Sequence, residues 1–320
     1  MSEVLDALVI TTCGYAESPP ETQDNVTPEN LDLDGVVAFE RLDPDVAEKL
    51  MDACETRGFK PLPSHLAQEL FEVCEIRGFG YPPPRRQYGQ RISIVRRSPP
   101  NSDKREWDPD RAIYKVLALS RLVHPIPVGV RYSGRVWLST DRQVKEIVPG
   151  PVHGRMAYAF CARERRWYLK NEEAQRIKEL LPKDTRQKFP ERVCRALWRF
   201  DYVFYEYYTD LRWLDLSAAM EALVHTDPYK STAQFAGRVA ALADEIGISG
   251  WSEQRLRNLY HEYRCAVAHG QEIRKAEPAD IREYVDFEDL VRAILLRCIE
   301  DPRFRRLFST DQGIRSKWAI

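Results

Sequence analysis

No run in this chain approaches the roughly 18 consecutive apolar residues that a membrane-spanning helix needs, so a membrane role is not expected. Lys and Arg are missing altogether from residues 1 to 35. A secretory leader needs a basic start, and the apolar piece LVITTC is too short for a leader's core, so the cytoplasm is the expected location. Cys-x-x-Cys pairs are absent as well. The seven cysteines, at 13, 54, 74, 161, 194, 265 and 298, are odd in number and widely spaced, which speaks against a disulfide framework and reads as reduced thiols. The chain also lacks a charge imbalance, since 48 Lys and Arg against 49 Asp and Glu leave a net charge of −1. A global nucleic-acid signature is therefore missing.

What is present is the composition of a globular protein, 43% hydrophobic and 30% charged over 320 residues, with room for about two domains that each bury a core. The expected fold class is α+β, mainly α: a mixed α/β domain followed by an all-α helical bundle. Residues 1–34 hold eight acids and read as a weakly ordered tail in which Val4 to Thr11 could add one strand. Residues 35–168 read as the mixed α/β domain, with a recognition or regulatory role. Residues 169–310 read as the bundle and 311–320 as a short tail.

Within the first domain, Val46 to Pro63 and Leu66 to Pro83 resemble each other, so that Cys54-Glu55-x-Arg57-Gly58-Phe59 recurs as Cys74-Glu75-x-Arg77-Gly78-Phe79. Each copy reads as an amphipathic helix closed by Gly and then Pro. Their cysteines lie among Leu, Met, Phe and Val, which suits packing better than metal or redox chemistry. A helix is expected from Asp108 to Val123, and strands at Gln90 to Arg97, Val128 to Leu138 and Arg155 to Cys161, with Gly134 and Pro149-Gly150-Pro151 as turns. His124 and His153 stand at element edges without an evident partner. One basic segment stands out: Arg85, Arg86, Arg91, Arg96, Arg97, Lys104 and Arg105 face only Asp103. It suits either a solvated strand and loop or contact with a phosphate backbone.

From Asn171 onward the apolar spacing becomes helical. A short helix ends near Leu181-Pro182, Pro190 opens a long one reaching Leu211, and Leu211 to Val224 forms the next. Ser231-x-x-Gln234 reads as a capping box for a third, closed by Gly247; Ser252 caps a fourth, and Phe287 to Cys298 is a fifth. Helices with apolar stripes and short loops make a bundle.

The fourth of these helices carries Tyr260-His261-Glu262-Tyr263-Arg264-Cys265-Ala266-Val267-Ala268-His269-Gly270. Arg264 is a permanent cation suited to a phosphate, and His269 is the side chain whose ordinary pKa lies nearest neutrality. Five residues on an ideal helix turn through about 500°, leaving the two directions ~140° apart. To meet at one phosphate, the chain must bend near His269 or a second subunit must bring its own copy. His261, Cys265 and His269 recur every four residues, but eight residues rise about 12 Å, too far for three ligands of one metal. No metal and no cofactor are expected. The same spacing is also met if His269 only caps the helix while Arg264 pairs with Glu221.

The order LDLSAAMEALV, QFAGRVAALADEIGI, LYHEYRCAVAHG resembles the HEPN superfamily, and within it the ApeA-like HEPN proteins of prokaryotes, whose hallmark R-x(4-6)-H is met by Arg264 and His269. The resemblance spans about Pro190 to Ile299, with LALSRL at Leu117 to Leu122 also similar to a segment that accompanies such domains. It implies an α-helical bundle that pairs so that two motifs line one cleft, and a metal-independent endoribonuclease. His269 would then serve as acid or base and Arg264 would hold the phosphate, giving a 2′,3′-cyclic phosphate end, with Glu221 and Tyr260 as auxiliary residues. RNA and a homodimer partner are expected, in antiphage or stress defence, with a phage or protein trigger at the first domain. Arg85, Arg86, Arg91, Arg96 and Arg97 would form an RNA track. Cys265 departs from the polar residue common after the arginine. A non-catalytic HEPN module that binds RNA, a nucleotide or a protein partner is the alternative.

Overall fold

The computed structural model describes residues 3–12, 31–32, 37–41, 43–56, 92–98, 111–125, 128–149, 171–184, 188–204, 206, 209–227, 229–269 and 278–319. The chain divides into two compact units between Leu181 and Pro182. The described residues are mainly helical, and no helix among them is long and apolar enough to cross a membrane.

The first unit is built on an antiparallel sheet of strands β1 (Glu3–Thr12), β2 (Leu31–Asp32), β3 (Val37–Arg41), β4 (Ile92–Ser98), β5 (Val128–Leu138) and β6 (Val144–Pro149), in the order β2-β3-β4-β1-β5-β6. Helix α1 (Pro44–Thr56) packs on β5 and β6, and α2 (Arg111–Val123) packs on α3 (Asn171–Leu180). Leu50 and Cys54 of α1, Leu117 and Leu119 of α2, Ile177 of α3 and Val136 of β5 are buried. Cys54 thus packs in the core, as its apolar neighbours require. His124, at the end of α2, has a partner after all: its Nδ1 lies 3.5 Å from Glu173 of α3.

Two expectations for this unit need correction, while the strand that Val4 to Thr11 could add is present as the interior strand 3–12. Its backbone is paired on both edges, Leu5 with Arg97 of β4 and with Val136 of β5, and two ladders can order a segment whose composition alone does not. Gly134 is not a turn. It lies inside β5, paired with Ala7 and Pro149, where an added Cβ would meet Leu50 Cδ1 at 2.6 Å and the Val148 carbonyl oxygen at 2.9 Å. Glycine there lets α1 approach the sheet. Helix α3, expected with the bundle, belongs to the first unit. The second copy of the Cys-Glu-x-Arg repeat, His153 and the strand at 155 to 161 lie outside the described residues.

The second unit holds α4 (Glu191–Val203), α5 (Thr209–Val224), α6 (Ser231–Glu245), α7 (Glu253–Leu259), a π-helical turn (Tyr260–Cys265), α8 (Ala266–Ala268), α9 (Pro278–Glu300), α10 (Pro302–Arg306), a 3₁₀ turn (Leu307–Ser309) and α11 (Asp311–Lys317). The single long helix expected from Pro190 to Leu211 ends at Val203, where Phe204 packs into the core as its C-cap. Gly247, at φ +78, closes α6 in the left-handed region where a β-carbon is costly. Ser252 caps α7 by accepting from Arg255 N at 3.2 Å. The capping box of α6 is wired differently: Gln234 reaches back to Asp227, accepting its backbone N–H at 2.7 Å and donating to its carboxylate at 3.0 Å. Residues 311–320 are no tail either. Ile314 and Trp318 are buried, and the buried Arg238 of α6 donates to the Trp318 carbonyl at 3.2 Å and to Val224 O at 3.0 Å.

Candidate functional site

An aromatic cluster holds the helix that carries Arg264. Trp213 of α5 stacks on Tyr263 with centroids 4.2 Å apart and planes 9° from parallel, and it meets Tyr284 of α9 edge-on at 5.3 Å. Phe235 of α6 lies against Tyr260 at 4.5 Å. Each such pair contributes about 0.5–1.5 kcal/mol beyond the area it buries, so Tyr260 and Tyr263 are anchored to two different helices. Leu256 and Leu259 complete the buried face as the apolar spacing requires, while Val267 is only half-buried.

Between the anchored tyrosines and the helix end, the backbone opens into a π-helical turn over Tyr260–Cys265. Such a turn is wider than an α-helical one and recurs at functional sites. Residues four apart fall closer to one direction in the wider turn, and Tyr260 and Arg264 both meet Glu221 of α5. The Tyr260 hydroxyl donates to Glu221 Oε1 at 2.5 Å, and Arg264 donates through Nε to Oε1 at 3.0 Å and through Nη2 to Oε2 at 3.4 Å. The Arg264 guanidinium also lies 5.3 Å from the Tyr260 ring centroid. Side-chain exposure is 29% for Arg264 and 20% for Glu221, while Tyr260 is 1% exposed.

These contacts set the charge states. Burial, and then the hydrogen bond and charge of Glu221, push the Tyr260 hydroxyl well above the usual phenol range, so it stays a donor. Burial works against the Arg264 cation, but the charge of Glu221 outweighs it and holds Arg264 firmly protonated. Arg264 is thus gripped by Nε and Nη2 from one side, and among the described residues Nη1 has no hydrogen-bond partner.

His269 is placed separately. It is exposed and ends α8, with its N–H bonded to Cys265 O at 3.0 Å and its backbone at φ −96, ψ 9. Those dihedrals leave the helix, so the ideal-helix angle between Arg264 and His269 does not apply, both because of this turn and because of the π turn before it. Among the described residues the His269 ring has no side-chain partner. Glu221, Tyr260 and Arg264 are therefore brought together, and His269 stands at the helix end beside them in sequence.

Of the basic segment, Arg96 and Arg97 are described as consecutive residues of β4, between β3 and β1. Arg85, Arg86 and Arg91 lie outside the described residues. Cys54, Cys194, Cys265 and Cys298 are free thiols. No family model, curated protein or solved structure matches the chain.

Proposed function

We propose that the second unit is a HEPN-type, metal-independent endoribonuclease that works as a homodimer in the cytoplasm, in antiphage or stress defence. The observation that carries this reading is the grip of Glu221 and Tyr260 on Arg264, five residues before an exposed His269 at a helix end. A guanidinium fixed on one edge presents its other edge to a phosphate oxygen without losing side-chain freedom when RNA binds. His269 accepts the proton of a ribose 2′-hydroxyl as that oxygen attacks the adjacent phosphorus. The 5′-oxygen leaves with a proton, supplied by the second subunit's copy of the histidine. Arg264 offsets the charge that gathers on the phosphoryl oxygens, and the product ends in a 2′,3′-cyclic phosphate.

The test is cleavage of single-stranded RNA in EDTA, with the product ends read by mass spectrometry. His269→Ala lowers the rate by about 10²–10⁴-fold and leaves the melt unchanged, because the ring is exposed and makes no side-chain contact. Arg264→Lys keeps the charge and loses the two-point grip, so the rate falls with it. A wild-type protein inert on every RNA tested, phage extract included as trigger, sinks the enzyme reading. One observation favours the second reading, a non-catalytic module: the Arg264 charge is already balanced by Glu221. In that case RNA is retained without cleavage, and Arg264→Lys weakens retention.

A further inference from the structure

Arginines of the second unit are mostly matched by carboxylates: Arg255 by Glu283 and Asp286, Arg264 by Glu221, Arg297 by Asp301 and Arg315 by Asp227. One cleft departs from this. A cavity of about 420 Å³ lies between the start of α4 and the α10 and 3₁₀ turns, lined by Lys188, Arg305, Arg306 and Ser309. Phe189, Pro190 and Pro302 form its walls. The lining thus offers three cations and a hydroxyl, and no carboxylate.

Two acids near in sequence are engaged elsewhere. Glu191 accepts from Arg195 at 2.5 Å. Asp301 accepts the α10 backbone N–H groups of Arg303 at 2.8 Å and Phe304 at 3.2 Å, and pairs with Arg297 at 2.9 Å. Residues 185–187, which precede Lys188, are Thr, Arg and Gln and bring no acid. Among the described residues, Lys188, Arg305 and Arg306 have no carboxylate partner. An anion in the cleft would therefore meet positive charge from three lining cations and no opposing carboxylate.

The cleft is also preformed. The Arg305 guanidinium lies 4.1 Å from the Phe189 ring centroid, and its Nη1 donates to Cys298 O at 2.8 Å and Ile299 O at 3.1 Å. Nε and Nη2 of Arg305 remain for a ligand. Arg306 is steadied by Nε donating to Pro302 O at 3.3 Å. Pro190, the residue before α4, and Pro302, at the start of α10, are rigid in φ. Phe189 is nearly buried beneath Arg305, so it offers no free ring face for a base, and recognition rests on charge.

We propose that this cleft binds the diphosphate group of a small molecule. A phosphate monoester carries about −1.5 to −2 at neutral pH, and a diphosphate about −3, which the three cations balance. The volume lies within the range of small-ligand sites, about 300–1,000 Å³. The inference stands apart from Arg264 and from ribonuclease activity.

The experiment is calorimetry of the full chain titrated with inorganic pyrophosphate in metal-free buffer at physiological salt. The expected result is saturable binding at one site per chain, weakened at least tenfold in the double variant Lys188→Ala, Arg306→Ala. That variant keeps the parent melt, since both side chains are exposed. Arg257→Ala, which removes a cation of α7 outside the cleft lining, leaves the affinity unchanged. Absence of saturable binding at millimolar pyrophosphate overturns the proposal, and so does binding that the double variant leaves intact. If a single-stranded RNA oligomer binds through Lys188 and Arg306 while pyrophosphate does not, the cleft follows a nucleic-acid backbone and the small-molecule assignment falls. Missing RNA cleavage bears on none of these outcomes.

Discussion

Glu221→Ala removes in one step the acceptor of three hydrogen bonds, from the Tyr260 hydroxyl and from Nε and Nη2 of Arg264. Tyr260 is 1% exposed, so water does not readily replace the carboxylate, and a buried hydroxyl left with a poorer partner costs about 1–3 kcal/mol. Arg264 is 29% exposed. Solvent screens its uncompensated charge, and its share is put at about 1 kcal/mol rather than the full penalty of a buried ion. The sum is about 2–4 kcal/mol. For a unit of this size each kcal/mol moves Tm by about 3 °C, so the expected drop is about 6–12 °C. Glu221→Gln keeps one oxygen for Tyr260 and should lose about half as much. The assay is thermal unfolding followed by near-UV circular dichroism, to which the stacked Trp213 and Tyr263 contribute. A double-mutant cycle with Tyr260→Phe then isolates the tyrosine bond, with a coupling of about 1 kcal/mol expected. A Glu221→Ala protein whose Tm stays within measurement error, or a cycle that is additive, refutes the picture of Glu221 as the clamp of the π turn.

Two further outcomes follow from other parts of the chain. His225, at φ 50 after α5, has Arg192 and Arg315 each 3.1 Å from its ring nitrogens, and burial together with those cations lowers its pKa from 6.5. The unfolded chain therefore binds that proton first as pH falls, so stability drops from about pH 6.5 downward until the folded pKa is passed. Denaturation midpoints measured from pH 8 to 5.5 should show this slope, and His225→Asn, which tolerates the left-handed backbone, should flatten it; an unchanged slope assigns the effect elsewhere. Gly134→Ala should destabilise the first unit by about 1–3 kcal/mol, and Leu50→Ala should fail to rescue it, because the Val148 carbonyl also blocks the added methyl; a neutral Gly134→Ala would contradict the close approach of α1.

Where local chemistry decides an element, the sequence was a good guide. Ser252 and Gly247 mark helix ends through a hydroxyl acceptor and a left-handed backbone, and both effects are confined to a few residues. Val128 to Leu138 alternates and is a strand. Local pattern reaches less far where pairing partners decide. The apolar run Val4 to Thr11 signals a strand within the acid-rich start, but its interior place, with ladders from strands about 90 and 125 residues further on, is recorded by no local pattern. Gly134 carries the same lesson: a glycine between alternating residues signals either a turn or a close contact, and only Leu50, from a distant helix, tells which.

The site divides along the same line. The pairing of Arg264 with Glu221 was one of the readings the sequence offered for the motif; of the two carboxylates in LDLSAAMEALV, Asp215 goes to Arg199 and Glu221 to Arg264. The π turn was not, because Leu256, Leu259, Tyr260 and Tyr263 keep ordinary α-helical spacing up to the residue where the ladder widens. The widening is set by contacts from other helices: Trp213 holds Tyr263, Phe235 holds Tyr260, and Glu221 draws Tyr260 and Arg264 to one carboxylate. An α-helical turn would separate those two directions by about 40°, and the wider turn closes the gap. The π turn thus presents Arg264 with one edge held by Glu221. Deleting Cys265, which takes one residue out of the widened turn, should disturb that grip and, on the proposed function, abolish RNA retention. A deletion protein that still binds RNA as the parent does would separate the π turn from function.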